Sequence, residues 1–313
     1  MTKRLLRLFG IPIVVLAFLP VLALGQAVER SSRVILVSGA TGTQGGAVAR
    51  ELVERGYRVR GLTRSPDSAA SSELTALGIE MVRGDFDDAA SLDAALNGAH
   101  GAFSVQQYRG VGVDGEIRQS KSFADAAKRA GVEHFVYTSV SKARLGTGVP
   151  QFESKREIED YVRALGIPYT IIRPASFMSG FEEWREEAQT GLITGPLPAD
   201  LARVFIAPSD IGRITAEAFD HPEAWIGREL AIAGDRITYA DIAAAMGRVM
   251  ERPVRYEQIP WGEYSATATP TAIARERWYM ENRDPLDETA LRHEFPWLLT
   301  FEQYLIEAGW RGP

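Results

Sequence analysis

The stretch Val34-Ile35-Leu36-Val37-Ser38-Gly39-Ala40-Thr41-Gly42-Thr43-Gln44-Gly45-Gly46 decides the fold of this chain. A short aliphatic run breaks into glycines spaced G-x-x-G-x-x-G, and a helical pattern follows. Gly39 lets the chain turn sharply, because it has no Cβ to forbid unusual φ values. Gly42 lets the backbone approach an anion closely, and Gly45 lets the next helix pack tightly on the strand. The N–H groups that open that helix lack intrahelical partners and sit at the positive end of its dipole, so a pyrophosphate suits them. Val48, Leu52 and Val53 follow at helical spacing, with Arg50, Glu51, Glu54 and Arg55 on the polar face and Gly56 placed to end the helix. The bland alternative is a glycine-rich βα turn with no ligand; the strand before the loop and the helix after it argue against that.

Tyr57–Arg64 reads as a second strand and its exit. A dinucleotide site that prefers NAD carries an acid here for the ribose 2′-hydroxyl. This chain has Thr63 and Arg64 instead, with Ser65 and Ser68 close behind. A guanidinium at that point grips a 2′-phosphate through forked, charge-assisted bonds, which favours NADP(H). The alternative for Arg64 is a solvated surface side chain. The third strand ends in Gly84-Asp85-Phe86-Asp87-Asp88. Asp85 and Phe86 would flank the adenine, and Asp87 or Asp88 would cap the helix 89–96.

Strand and helix patterns alternate through the first half: strands at 34–38, 59–63, 80–83, 102–105, 134–138 and 169–172, helices at 46–55, 71–77, 90–96, 117–130 and 152–165. Right-handed βαβ crossovers then give a Rossmann-type, doubly wound parallel sheet. After Pro174 the rhythm loosens. We expect a charged helix at 182–188, turns over 191–199, a helix at 211–219 capped by Ser209-Asp210, and strands at 229–232 and 254–259. Thr238-x-x-Asp241 and Thr300-x-x-Gln303 read as capping boxes for helices 242–250 and 301–308, with another helix near 272–281. The division expected is a leader over 1–25, a dinucleotide-binding core over 32–180, and a smaller C-terminal α/β lobe over 181–313, interleaved with the core and shaping a substrate cleft at the carboxyl ends of the strands.

The 313 residues are 45% hydrophobic and 24% charged, enough for a large buried core. A net charge of −6 offers no basic field for nucleic acid. The chain has no cysteine, which excludes disulfides, thiolate catalysis and Cys-ligated metal. His100, His134, His221 and His293 show no metal-ligand spacing. Lys3, Arg4 and Arg7 precede an apolar run that ends in Ala23-Leu24-Gly25, the pattern of a secretory signal peptide. Gly10, Pro12 and Pro20 make it a poor spanning helix, although an uncleaved anchor stays open. Thr2-Lys3-Arg4-Leu5-Leu6-Arg7 is a degenerate twin-arginine pattern, and a cytoplasmic chain starting near Ser31 is the other alternative. Export or membrane anchoring through the leader is the expectation taken.

Taken together, these residues resemble the NmrA-like family, an atypical branch of the short-chain dehydrogenase/reductase superfamily. The resemblance rests on the glycine loop, Arg64, Gly84–Asp88, Ala130-Gly131-Val132-Glu133-His134-Phe135-Val136-Tyr137-Thr138-Ser139, Phe152-Glu153-Ser154-Lys155 and Gly166-Ile167-Pro168-Tyr169-Thr170-Ile171-Ile172-Arg173-Pro174. Pro208-Ser209-Asp210-Ile211-Gly212 and Thr300-Phe301-Glu302 extend it over about residues 33–310. It implies that the backbone from Gly39 through Ala40, Thr41, Gly42, Thr43 and Gln44 to Gly45 holds the pyrophosphate and that Arg64 holds the 2′-phosphate. It further implies that Gln106, Gln107 and Tyr108 line the ribose and nicotinamide and that Lys121 faces the same site. By the same resemblance Lys155 reaches the nicotinamide ribose, and Pro174, Ala175, Ser176 and Phe177 flank the nicotinamide.

Short-chain dehydrogenases of the usual kind carry Tyr-x-x-x-Lys, which places both side chains on one helix face and lets Lys lower the Tyr pKa. Here Gln151 precedes Lys155 at that spacing, and an amide cannot do the acid–base work. Lys155 is left as the one candidate catalytic residue, against the bland alternative of a surface ion pair with Glu159. Tyr108 and Tyr137 are weak substitutes for the missing tyrosine, and Ser139, without that tyrosine, reads as structural. Two readings follow. One is an NADPH-dependent reductase of a quinone or small carbonyl compound. The other is a non-catalytic NADP(H) redox sensor with a regulatory protein partner. A homodimer is compatible with either.

Overall fold

The computed structural model describes residues 30–311, so the leader read over 1–25 lies outside the described residues. In chain order, β1 (Val34–Val37), α1 (Thr43–Glu54), β2 (Arg58–Thr63), α2 (Ala69–Ala76), β3 (Glu80–Arg83), α3 (Ala89–Leu96), β4 (Gly101–Ser104), α4 (Gly112–Arg129), β5 (His134–Thr138), α5 (Pro150–Leu165) and β6 (Tyr169–Pro174) alternate. Then come β7 (Ser176–Phe177), a 3-10 segment (Met178–Trp184), α6 (Arg185–Gln189), β8 (Leu192–Gly195), β9 (Ala202–Ile206), α7 (Pro208–Asp220), α8 (Pro222–Trp225), β10 (Glu229–Ile232) and β11 (Asp235–Thr238). The chain continues through α9 (Tyr239–Val249), β12 (Arg255–Gln258), α10 (Trp261–Thr267), α11 (Pro270–Glu281), α12 (Glu288–Glu294) and α13 (Phe301–Glu307).

Seven parallel strands form the main sheet in the order β10-β6-β5-β4-β1-β2-β3. The expected Rossmann-type architecture is therefore the observed one. All of β1 is buried, as a central parallel strand with both faces covered must be. Its side chains alternate between two cores. Ile35 and Val37 pack with Val48 and Leu52 of α1 and Ile211, Ile214 and Phe219 of α7. Leu36 faces the other layer with Leu92, Leu96, Phe123, Phe135 and Ile158. α1 and α7 lie close together: a Cβ on Gly212 would stand 2.8 Å from the Ala47 carbonyl oxygen.

The C-terminal segments build a third core around Phe181, whose ring centroid is 5.0 Å from that of Phe205 and 5.1 Å from that of Phe301. This core also takes in Val149 and Phe152 at the start of α5, and Trp278 and Tyr279 of α11. It thus abuts the helix whose first turns lie beside the carboxyl edge of the sheet.

Several local expectations are corrected. Ser209-Asp210 does not cap a helix: α7 starts at Pro208, with Ala207 as an N-cap that makes no side-chain bond. Proline fits that first position because its fixed φ is already helical and it has no N–H to strand. Asp210 points inward instead and accepts the Leu299 N–H at 2.9 Å. The segment 182–188 divides between the 3-10 segment and α6, and 191–199, read as turns, contains β8. β8 is stabilised by parallel pairing with β12, more than sixty residues away in sequence. β7, β9 and β11 are short, and their mutual pairing is likewise non-local. Asp88 does cap α3, accepting the N–H groups of Ala90 and Ser91 at 3.1 and 3.3 Å. Thr300 and Gln303 close a full capping box, whereas Asp241 takes the Thr238 hydroxyl rather than its backbone N–H.

Candidate active site

The sheet order reverses direction beside β1, which has β2 on one side and β4 on the other. A crevice opens at the carboxyl ends of strands at such a switch point. Ser38 bridges its two walls: its hydroxyl accepts the Val105 N–H at 2.8 Å and donates to the Val105 carbonyl at 3.1 Å. Gly39 turns with φ +61°, and a Cβ there would lie 2.8 Å from Val105 Cγ1. Gly45 is more constrained still, because its Cβ would stand 2.3 Å from the Gly39 carbonyl oxygen. The turn Ser38–Gly42 thus sits flush against the first turn of α1. Gly42 is the N-cap of α1 and offers no side-chain cap, and no acid lies in the first turn. The N–H groups of Thr43, Gln44 and Gly45 are therefore the unpaired donors of a helix start. The Gln44 side chain is buried and donates to the Thr138 hydroxyl, tying the loop to the end of β5.

At the end of β2, Arg64 is exposed. Its carbonyl accepts from Arg83 Nη1 at 2.9 Å, which brings a second cation alongside. Among the described residues the Arg64 guanidinium has no hydrogen-bond or ion-pair partner. Asp85 accepts the Asp87 N–H at 3.0 Å. Phe86 packs edge-on against Phe123 at 5.7 Å, which anchors the loop after β3. Ser68 does not join Arg64: its hydroxyl caps α2, accepting the Ser71 N–H at 3.3 Å and pairing with the Ser71 hydroxyl at 2.9 Å.

A buried polar cluster lies under the other half of the crevice. Lys155 is only 7% exposed and donates to the Gln106 carbonyl at 3.0 Å. Its ammonium also stands 3.0 Å from Glu116 Oε1, and Glu116 accepts the Ser154 hydroxyl at 2.7 Å. Glu159, the partner suggested by helical spacing, instead binds Arg173 at 2.6 Å and Arg163 at 2.9 Å. The Gln106 amide oxygen accepts from Ser104 and Ser120 at 3.2 and 2.9 Å. The Lys155 ammonium is 5.6 Å from the centre of the Tyr137 ring. Burial pushes the Tyr137 phenol well up from its ordinary value, and Glu116 and Glu159 add to it, so Tyr137 is held neutral.

Gln106 Nε2, the Ser139 hydroxyl, the Tyr137 hydroxyl and both polar atoms of the Gln151 amide are buried without hydrogen-bond partners. Orphaned polar atoms of this kind are rare in native interiors. They gather at the carboxyl ends of β4 and β5 and the start of α5. Pro174 and Ala175 are buried beside them, while Ser176 and Phe177 are half-buried, Gln107 is exposed and Tyr108 is half-buried. Lys121 is not part of this cluster. One position round the helix from Ser120, it turns toward α5, bonds Glu157 at 2.8 Å and lies over the Tyr161 ring at 5.2 Å. Glycine-loop donors, an exposed guanidinium at the end of β2 and a buried lysine beside orphaned polar atoms fit a nicotinamide dinucleotide laid across the switch point.

Sequence reasoning missed Glu116 in this cluster, and it missed a neighbouring group in which Arg203 and Tyr279 contact Ser176 and Lys142 lies over the Tyr279 ring. Glu116 had a signal, since it sits four residues before Ser120 and eight before Ala124 on the buried stripe of α4. The other three meet only through the fold.

The NmrA-like family model matches residues 31–283. The (4-alkanoyl-5-oxo-2,5-dihydrofuran-3-yl)methyl phosphate reductase of Streptomyces griseus is 32% identical over 231 residues, covering 72% of this chain and 77% of that protein. The NAD(P)H azoreductase of Xenophilus azovorans is 30% identical over 227 residues, covering 72% and 77%. The solved structure of NmrA, a negative transcriptional regulator, in complex with NADP superposes with a TM-score of 0.72 at 23% identity, covering 87% of this chain and 94% of that one. Motif, topology and the extent of these matches agree: this chain belongs to the NmrA-like family, whose members include oxidoreductases.

Proposed function

We propose that this protein is an NADPH-dependent reductase of a quinone or small carbonyl compound. The observation that carries the reading is Lys155, buried at the carboxyl edge of the sheet with its ammonium directed to the Gln106 carbonyl and Glu116. The dinucleotide, when bound, supplies the hydride. The glycine loop holds its pyrophosphate, and the exposed Arg64 guanidinium selects the 2′-phosphate. Lys155 orients the ribose and the nicotinamide end, and the apolar floor of Pro174 and Ala175 excludes water. Relatives named as a furanone phosphate reductase and an azoreductase support the reaction class.

NADPH consumption with a panel of menadione, phenanthrenequinone and benzaldehyde tests the reading. Turnover that collapses in Lys155→Ala is expected; no turnover above that variant would sink it. A second reading, a non-catalytic redox sensor, is favoured by Gln151 at the usual tyrosine position, because an amide transfers no proton. It requires unequal affinities for NADP⁺ and NADPH together with a structural response to the cofactor.

A further inference from the structure

Gln151 leaves the reductase reading without a proton donor, and the C-terminal lobe carries one. Tyr279 of α11 is 8% exposed and lies with its hydroxyl 3.4 Å from the Ser176 hydroxyl. Ser176 comes two residues after Pro174, at the carboxyl end of β6, where the nicotinamide flank is expected. The Arg203 guanidinium stacks on the Tyr279 ring at 3.4 Å, and it donates to the Ser176 hydroxyl at 2.5 Å and to the Tyr239 hydroxyl at 2.8 Å. Arg203 makes no ion pair among the described residues, and its charge acts on these two phenols and on Glu276. Lys142 stands 5.5 Å from the ring centre and bonds Ser141, whose N–H donates to the Pro174 carbonyl at 2.9 Å. Phe152, next to Gln151, packs 6.1 Å from the same ring.

We propose that Tyr279 is the proton donor of the reduction, replacing the tyrosine that Gln151 displaces, with Arg203 and Lys142 as positioning residues. The inference rests on the reductase reading above. As hydride from the reduced dinucleotide forms the new C–H bond, the carbonyl π pair moves onto oxygen. The Tyr279 O–H bond breaks and its proton forms the new O–H bond. Water then returns a proton to the tyrosinate, so one NADPH and one proton are consumed per carbonyl reduced. Burial pushes the Tyr279 phenol up, but Arg203, Lys142 and the Ser176 contact outweigh it and bring it below its ordinary value. Glu276 on the same helix opposes them. Asp284, paired with Lys142 at 2.5 Å, Tyr239, bonded to Arg203, and Arg275, paired with Glu276 at 2.6 Å, also face this cluster.

Tyr279→Phe keeps the ring and its stack and removes only the donor. With benzaldehyde, whose reduction forms a C–H and an O–H bond at one carbonyl, its kcat is expected to fall on the order of 100-fold. KM and NADPH affinity, read by fluorescence quenching, should hardly change. A protonated donor is lost as pH rises, so kcat falls on the basic side; Arg203→Met should move that fall to higher pH. In the cofactor-free protein, phenolate absorbance should show one tyrosine ionising ahead of the rest, lost in Tyr279→Phe and delayed in Arg203→Met. Turnover by the parent chain with an unchanged kcat in Tyr279→Phe overturns the inference and leaves the reductase reading standing. So does the absence of an early-ionising tyrosine attributable to Tyr279. Absence of turnover by the parent chain overturns the reductase reading and the inference with it.

Discussion

Lys155 and Glu116 face one another across the gap between α5 and α4, their charged atoms 3.0 Å apart and both side chains nearly inaccessible. A buried pair is broken at high cost when only one member is removed, because the other stays charged without water. Lys155→Met should therefore lose about 3 kcal/mol of stability in denaturant unfolding. Adding Glu116→Gln should recover most of that loss while turnover stays low. Recovery of turnover in the double variant would show that Lys155 serves stability alone.

The approach of Gly45 to Gly39 predicts that Gly45→Ala is not tolerated. The new methyl would meet backbone at 2.3 Å, and backbone in a tight turn cannot swing aside as a side chain can. Overpacking of this kind costs about 2–3 kcal/mol. Unfolding midpoints and NADPH titration should both show it, with affinity falling more than tenfold if α1 is displaced from β1. Gly42→Ala, whose methyl would lie 3.3 Å from the Gly39 carbonyl oxygen, should fold nearly as well as the parent and lose mainly cofactor affinity.

Arg64 is exposed, and its guanidinium makes no hydrogen bond or ion pair among the described residues, so its removal should leave stability nearly unchanged. Arg64→Ala should weaken NADPH binding on the order of 10- to 100-fold, the worth of a charge-assisted bond, and leave NADH binding nearly as it was. Parallel titrations with the two cofactors decide this; an equal loss for both would remove the 2′-phosphate role.

Asp210 titrates abnormally: burial raises its carboxyl to about 6, against the pull of the Leu299 N–H. The folded chain then holds this proton more tightly than the unfolded chain does. Stability from this group falls as pH rises from about 4 toward 6 and is level above that range. Asp210→Asn keeps an acceptor for Leu299 and should stabilise the fold on the order of 1–2 kcal/mol at neutral pH. Thermal melts across this range should show the slope flattened in the variant; an unchanged slope would contradict the assignment.

The sequence by itself determined the parallel sheet, because β1 to β6 and their helices are written in local periods and in glycine punctuation that need no distant partner. It also determined the phosphate cradle, since Gly39 is demanded by its own positive φ and Gly45 by its contact with the Gly39 carbonyl. The strands β7, β8, β9 and β11 were not legible, because each is short and held by pairing with a segment far along the chain. Ser209-Asp210 misled for a related reason: its capping chemistry is local, but the buried Leu299 N–H competes for Asp210 and wins. Only the tertiary structure showed that Lys155 answers to Glu116 rather than to Glu159 one turn on, since helical spacing cannot see a facing helix. The same holds for Arg203 and Tyr279, which stand far apart in sequence and meet at Ser176 because β9 and α11 come together beside the carboxyl end of β6.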